Sequence, residues 1–139
     1  MARRTKKTPP RALIFDTDVL IWYFRGNSNA KHLIENTERD YRWISSLTLM
    51  EILQGCRNQN ELLEAQAFVA ENISRIIHPR TSISEKAIHL VSEYALSNGL
   101  RVIDALIASS AMLHRADLST GNSRHFRFIP GLNLKEFHP

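Results

Sequence analysis

Four acidic side chains stand where an α/β chain brings chemistry together. Asp16 and Asp18 follow the apolar run at residues 12–15, Glu51 opens a helical run after a second strand candidate, and Asp104 opens a later one. A late loop adds Ser119, Thr120, Asn122 and Ser123. In open α/β sheets such positions gather at one edge, because the strands end and the helices begin there. If Asp16, Glu51 and Asp104 meet, each pair at ~4 Å repels by roughly 4 kcal/mol at an effective dielectric near 20. A divalent cation relieves that repulsion, and oxygen donors without paired Cys or His suit Mg²⁺ or Mn²⁺ better than structural zinc. Taken singly, each acid has an ordinary explanation. Glu51 completes a capping box with Thr48, and Asp104 complements the positive end of its helix.

The elements that must position these acids are legible as alternating apolar runs. Residues 12–15 form a short strand of the kind buried in parallel sheets, and residues 19–24 a helix closed by Arg25 and Gly26. A helical stretch near residues 30–37 leads to a strand at residues 41–45. Thr48 to Glu51 then has capping-box spacing before an apolar helix that Gly55 stops. Leu62, Ala65, Val69 and Ile73 mark a helix over residues 61–73 with one buried face. A strand follows near residues 73–77. Ser82 and Glu85 give a second capping-box pattern before a helix that ends at Gly99, and another helix starts near Ile103. Residues 116–119 and 132–134 are the last strand candidates. Strands alternating with helices predict an α/β domain with a central, mostly parallel sheet flanked by helices.

At 139 residues, one hydrophobic core is expected. A composition of 43% hydrophobic and 23% charged residues excludes a disordered, collagen-like or coiled-coil chain. Of 18 Lys and Arg, five (Arg3, Arg4, Lys6, Lys7 and Arg11) fall in the first eleven residues, so the other 13 nearly balance the 14 acids. The boundaries read as a basic, flexible arm over residues 1–11 and one domain over residues 12–139. Such an arm could hold a nucleic-acid backbone, but a solvated tail is the preferred reading. No apolar run approaches the ~18 to 20 residues that cross a bilayer, which predicts a soluble, unexported chain without a membrane partner. The lone Cys56 suits a reducing cytoplasm and reads as a small packing residue.

With these residues in place, the sequence resembles a known family. Leu13, Ile14, Phe15, Asp16, Thr17, Asp18, Val19, Leu20 and Ile21 are similar to the opening of PIN-domain ribonucleases, especially the toxin subunits of bacterial VapBC toxin–antitoxin pairs. The segment from Thr48 to Gly55 resembles their second acidic helix. Asp104, Ala105, Leu106, Ile107 and Ala108 resemble the third-acid segment, and the run from Thr120 to Phe126, then Ile129, Pro130, Gly131 and Leu132, the closing one. Four short motifs in order over residues 12–137 are more specific than any one. There are two departures: Asp18 stands where asparagine is common, and Asn122 where many members carry a fourth acid.

The resemblance implies a metal-dependent endoribonuclease toxin of a type II toxin–antitoxin system. Asp16, Glu51 and Asp104 would hold Mg²⁺ or Mn²⁺, while Thr120 and Asn122 position water or phosphate. Asp18, Arg25, Arg101 and Arg124 are the candidates to hold RNA. Implied partners are the RNA substrate, a VapB-like antitoxin, a second copy in a homodimer, and operator DNA reached only through the antitoxin.

Two other readings compete. Asp16, Thr17 and Asp18 after an apolar strand are also similar to the nucleophile motif of haloacid-dehalogenase-like phosphatases, with Asp16 attacking phosphorus, but no paired late acid or catalytic lysine segment follows. A catalytically degenerate PIN domain that binds RNA or protein is the non-enzymatic reading. His32, His78, His89, His114, His125 and His138 lack metal-ligand spacing and read as surface or packing residues, with His125 weighed between a phosphate contact and a turn residue. Trp22, Tyr23, Phe24 and Trp43 read as core residues rather than base-stacking platforms.

Overall fold

A computed structural model describes residues 9–139. Its sheet has five strands, β1 (Leu13–Phe15), β2 (Arg42–Ser45), β3 (Arg75–Ile77), β4 (Asp117–Thr120) and β5 (Leu134–Glu136), in the order β3-β2-β1-β4-β5. Every adjacent pair is parallel, so the expected α/β sheet is parallel throughout. β5 begins two residues later than the apolar residues at 132–134 suggested.

Successive residues of a strand face opposite sides of the sheet, and each side here has its own core. Phe15 and Ile44 pack under α1 (Thr17–Phe24), α2 (Ser28–Asn36), α3 (Ser46–Gln54) and α4 (Gln59–Asn72), with Leu20, Ile34, Ile52 and Phe68. Ile14 and Leu118 face the other way, against α5 (Thr81–Asn98) and α6 (Val102–Leu113). Small residues Ala105, Ala108, Ser109 and Ala111 are buried on α6 and let it lie close against the sheet and α5. The turn between these helices needs Gly99, whose φ of 68° is left-handed and whose N–H closes onto Ala95 and Tyr94 carbonyls.

α1, α2 and α4 each begin two residues earlier than the apolar pattern suggested, and two further starts lack the expected caps. α3 begins at Ser46, capped by Ser45 through Leu47 N (3.1 Å), so Thr48 is a fully buried helical residue and Glu51 lies in the second turn. α5 follows Arg80 with no side-chain cap, which leaves Ser82 inside its first turn. Phe24 is 41% exposed rather than in the core, while Trp22, Tyr23 and Trp43 are half-buried. The arm residues Arg3, Arg4, Lys6 and Lys7 lie outside the described residues. No helix among the described residues is long and apolar enough to cross a membrane.

Asp117 starts β4 at the edge opposite Thr120. It is nearly buried, and its Oδ1 accepts from Arg11 Nε (2.8 Å) and Asn133 Nδ2 (2.9 Å), tying the beginning of β1 to the approach to β5. Asp117→Ala strands both donors and is expected to cost about 1–3 kcal/mol in urea unfolding. An unchanged midpoint would show that these bonds contribute nothing.

Candidate functional site

The strand order reverses direction at β1, which has β2 on one side and β4 on the other, and a crevice opens at the carboxyl ends of the strands. Asp16 leaves β1 directly into this crevice and caps α1. Its Oδ1 accepts from Thr17 N (2.9 Å) and its Oδ2 from the hydroxyl of Thr120, the last residue of β4 (2.8 Å). The Thr120 hydroxyl in turn accepts from Asn122 N at 3.0 Å. Asp16 is only 7% exposed, so one buried carboxylate fastens two neighbouring strand ends.

Glu51 reaches the same place from α3. The Thr17 hydroxyl donates to Glu51 Oε1 (2.9 Å) and shares a hydrogen bond with Thr48 (3.1 Å). Thr48 and Glu51 are three residues apart and therefore share one helix face. Asp18, in the first turn of α1, accepts from Gly121 N at Oδ2 (2.8 Å), while its Oδ1 is buried without a partner. Gly121 is required here, since a Cβ would lie 2.5 Å from Asp18 Oδ2. Asp104, in the first turn of α6, has its Oδ2 3.7 Å from Nδ1 of His125.

These acids sense one another. Burial and then the Asp18 charge push the Asp16 carboxyl up from 3.8 to about 7, with Asp104 adding to the rise against the Thr120 and Thr17 hydrogen bonds. Asp18 is raised chiefly by burial. Asp104 is raised by burial and by Glu51, and lowered by His125 and Arg101. Among the described residues no three His, Cys, Asp or Glu side chains are already poised around a metal position, and Glu51, Asp16 and Asp18 each accept from a local donor. The donor chemistry nonetheless fits a hard divalent cation: the set is all oxygen, Asp16, Asp18 and Asp104 resist ionisation without a counter-charge, and Asp18 Oδ1 is unsatisfied.

The other expected residues divide. Asn122 and Arg124 are exposed on the loop beside Thr120, and Arg101 is the exposed residue before α6. Arg25 stacks over Trp22 at 5.6 Å and lines a groove of about 740 Å³ between α1, α3 and α4, which borders the centre at Glu51 but includes no other of its acids. Thr17 and Thr48 escaped the sequence reading, and His125, weighed there as a phosphate contact or a turn residue, was not paired with Asp104. Thr17 was visible as a hydroxyl beside the first acid. Thr48 was visible too, but its spacing from Glu51 was read as a cap. His125 meets Asp104 only through the return of the chain after β4.

Comparison with known proteins places this geometry in context. A model of the PIN domain matches residues 13–131. Ribonuclease VapC19 of Mycobacterium tuberculosis is 30% identical over 122 residues, covering 86% of this chain and 95% of that protein. A toxin–antitoxin complex from Klebsiella pneumoniae contains a chain of 30% identity and TM-score 0.75, covering 87% of this chain and 95% of that one. VapBC2 from Rickettsia felis, bound to a DNA fragment from its promoter, shares the fold at 21% identity and TM-score 0.76, over 91% and 99% of the two chains.

Proposed function

The chain belongs to the PIN-domain family, and from that premise we propose that it is a divalent-metal-dependent endoribonuclease, the toxin of a type II toxin–antitoxin pair. The observation that carries the reading is the electrostatic coupling of Asp16, Asp18, Glu51 and Asp104 at one sheet edge. Likeness to a protein named ribonuclease VapC19 supports the activity. Likeness to a toxin–antitoxin complex supports a VapB-like antitoxin as partner; operator DNA reached through it and a homodimer complete the reading. The phosphatase alternative recedes because the family match runs through residues 13–131.

Asp16, Glu51 and Asp104 would hold Mg²⁺ or Mn²⁺. When bound, the ion supplies an activated water and offsets charge growing on the phosphate. The chain's own groups do the positioning. Thr17 N and Thr120 fix the Asp16 carboxylate, and the Thr17 hydroxyl fixes Glu51. Since the one hydroxyl hydrogen of Thr120 is committed to Asp16, Thr120 acts by aiming that carboxylate, and the Asn122 side chain is left to meet water or phosphate. Asp18 accepts from Gly121 N at Oδ2 and buries Oδ1, so in this reading it anchors the loop through Gly121 rather than holding RNA. Arg25, Arg101 and Arg124 hold the RNA backbone, offsetting repulsion between an acidic pocket and a polyanion.

The direct test compares wild type with Asp16→Asn and Asp104→Asn on total cellular RNA, with and without Mg²⁺. Cleavage is expected only for wild type with Mg²⁺, and cleavage surviving both substitutions would discredit the assigned centre. Gly121→Ala should act at the same centre without removing an acid. Its methyl group displaces the Asp18 carboxylate and the loop that bears Asn122, and a shift near 1 Å costs on the order of 10²-fold in rate. Full activity in Gly121→Ala would mean that the loop position does not matter.

A further inference from the structure

A second, oppositely polarised cavity adjoins the acids. It encloses about 230 Å³ between the end of α5, the start of α6 and the 3-10 turn Ser123–His125, and is lined by Asn98, Gly99, Arg101, Asp104 and His125. Its donors are Arg101 and the Asn98 amide. Asn98 Oδ1 is occupied by the Ser97 hydroxyl at 2.7 Å, which leaves the amide nitrogen to donate. Arg101 is exposed and close enough to stabilise the Asp104 anion. The His125 ring turns Nδ1 to Asp104 at 3.7 Å and is half exposed, so Nε2 faces away from that acid. Asp104 is the one acidic side chain in the lining, and it forms the wall shared with the acidic centre.

We infer that this pocket is a subsite for one backbone phosphate of the RNA strand, next to the linkage that is cut. The inference rests on the ribonuclease reading and deepens it. A pocket of donors around an arginine recognises an anion rather than a neutral base edge. The strand lying across the acids must carry its next phosphodiester over their rim, and the Asp104 wall is where the lining changes from acceptor to donor. Arg101 grips that phosphate, and the Asn98 amide adds a second donor. Arg101 and Asn98 therefore set the register of the strand.

The experiment uses the whole protein with Mg²⁺ and a short single-stranded oligoribonucleotide that it cuts. Linkages are replaced one at a time by neutral methylphosphonates with 2′-O-methyl protection at that nucleotide. In wild type, neutralising one linkage beside the cleaved bond is expected to raise KM about tenfold, the scale of one charge-assisted hydrogen bond. Arg101→Ala should raise KM similarly, and because Arg101 also faces Asp104 the deciding readout is its response to the neutral linkage. Arg101→Ala should become insensitive to the neutral linkage, whereas Arg101→Lys, which keeps the charge, should retain part of the sensitivity. The subsite is overturned if wild type and Arg101→Ala lose equally at every neutral linkage, or if changing a base rather than a linkage reveals the Arg101 substitution. Wild type that cuts no RNA with Mg²⁺ would instead sink the ribonuclease reading, and the subsite with it.

Discussion

Replacing Asp16 by Asn is expected to stabilise the metal-free protein at pH 8 while lowering RNA cleavage by about 10³-fold. The carboxyl is 7% exposed, and burial, with help from Asp18, pushes it up to about 7. In the unfolded chain it ionises near 3.8. A group whose folded pKa is raised contributes stability that is fully present below the unfolded value and is lost as pH rises through the folded one. The charged form, which an active centre needs, is thus the form that the fold resists. Three units at 1.36 kcal/mol each set an upper bound of about 4 kcal/mol at pH 8. Asparagine removes the penalty and still offers an oxygen to Thr17 N. A gain of about 2–4 kcal/mol, on the order of 5–10 °C in Tm, should appear at pH 8 in chelating buffer and shrink to less than half at pH 5. Thermal melts at the two pH values check this. An Asp16→Asn protein that melts at or below wild type at both would mean that the buried charge is not under strain.

The parts of the fold legible in the sequence were those set by local pattern. Ile14 and Phe15 sit in an apolar triplet too short for a helix and bounded by charge, and Gly99 ends an amphipathic run, so strand and helix could be named from neighbours alone. The acids were legible for the same reason: each stands just past a strand or near a helix start. Helix starts were harder. Ser45 belongs to β2 and caps α3 at once, so the strand signal hid the cap, and the spacing of Thr48 to Glu51 mimicked a capping box because the residues share a face aimed at Thr17. α5 has no side-chain cap to read. The Asp18–Gly121 bond joins residues 103 positions apart and leaves no mark in either neighbourhood. His125 beside Asp104 is likewise a product of topology, since only the parallel crossover from α6 to β4 returns the chain to the acidic edge.

Adding Mg²⁺ to chelated wild type is expected to raise its Tm and restore cleavage, and both responses should vanish together when one acid is removed. The apo centre gathers the carboxyl groups of Asp16, Asp18, Glu51 and Asp104, and hydrogen bonds from Thr17, Thr120 and Gly121 cannot neutralise them. A cation that binds the folded chain alone stabilises it by about 2.7 kcal/mol at a hundred times its Kd, on the order of 5–10 °C for a domain of this size. Glu51→Gln and Asp104→Asn each remove one oxygen anion and with it most of that gain. In Asp104→Asn the nearby Arg101 is also left without that acid and repels the ion further. Asp117→Ala is the control. Its carboxylate lies at the other end of β4, so the variant should melt lower overall yet keep the full Mg²⁺ shift. Chelation should abolish cleavage and Mn²⁺ should restore it, since both ions take oxygen ligands. Equal Mg²⁺ shifts in wild type, Glu51→Gln and Asp104→Asn would locate the ion elsewhere, because a cation held by these oxygens cannot be indifferent to the loss of either.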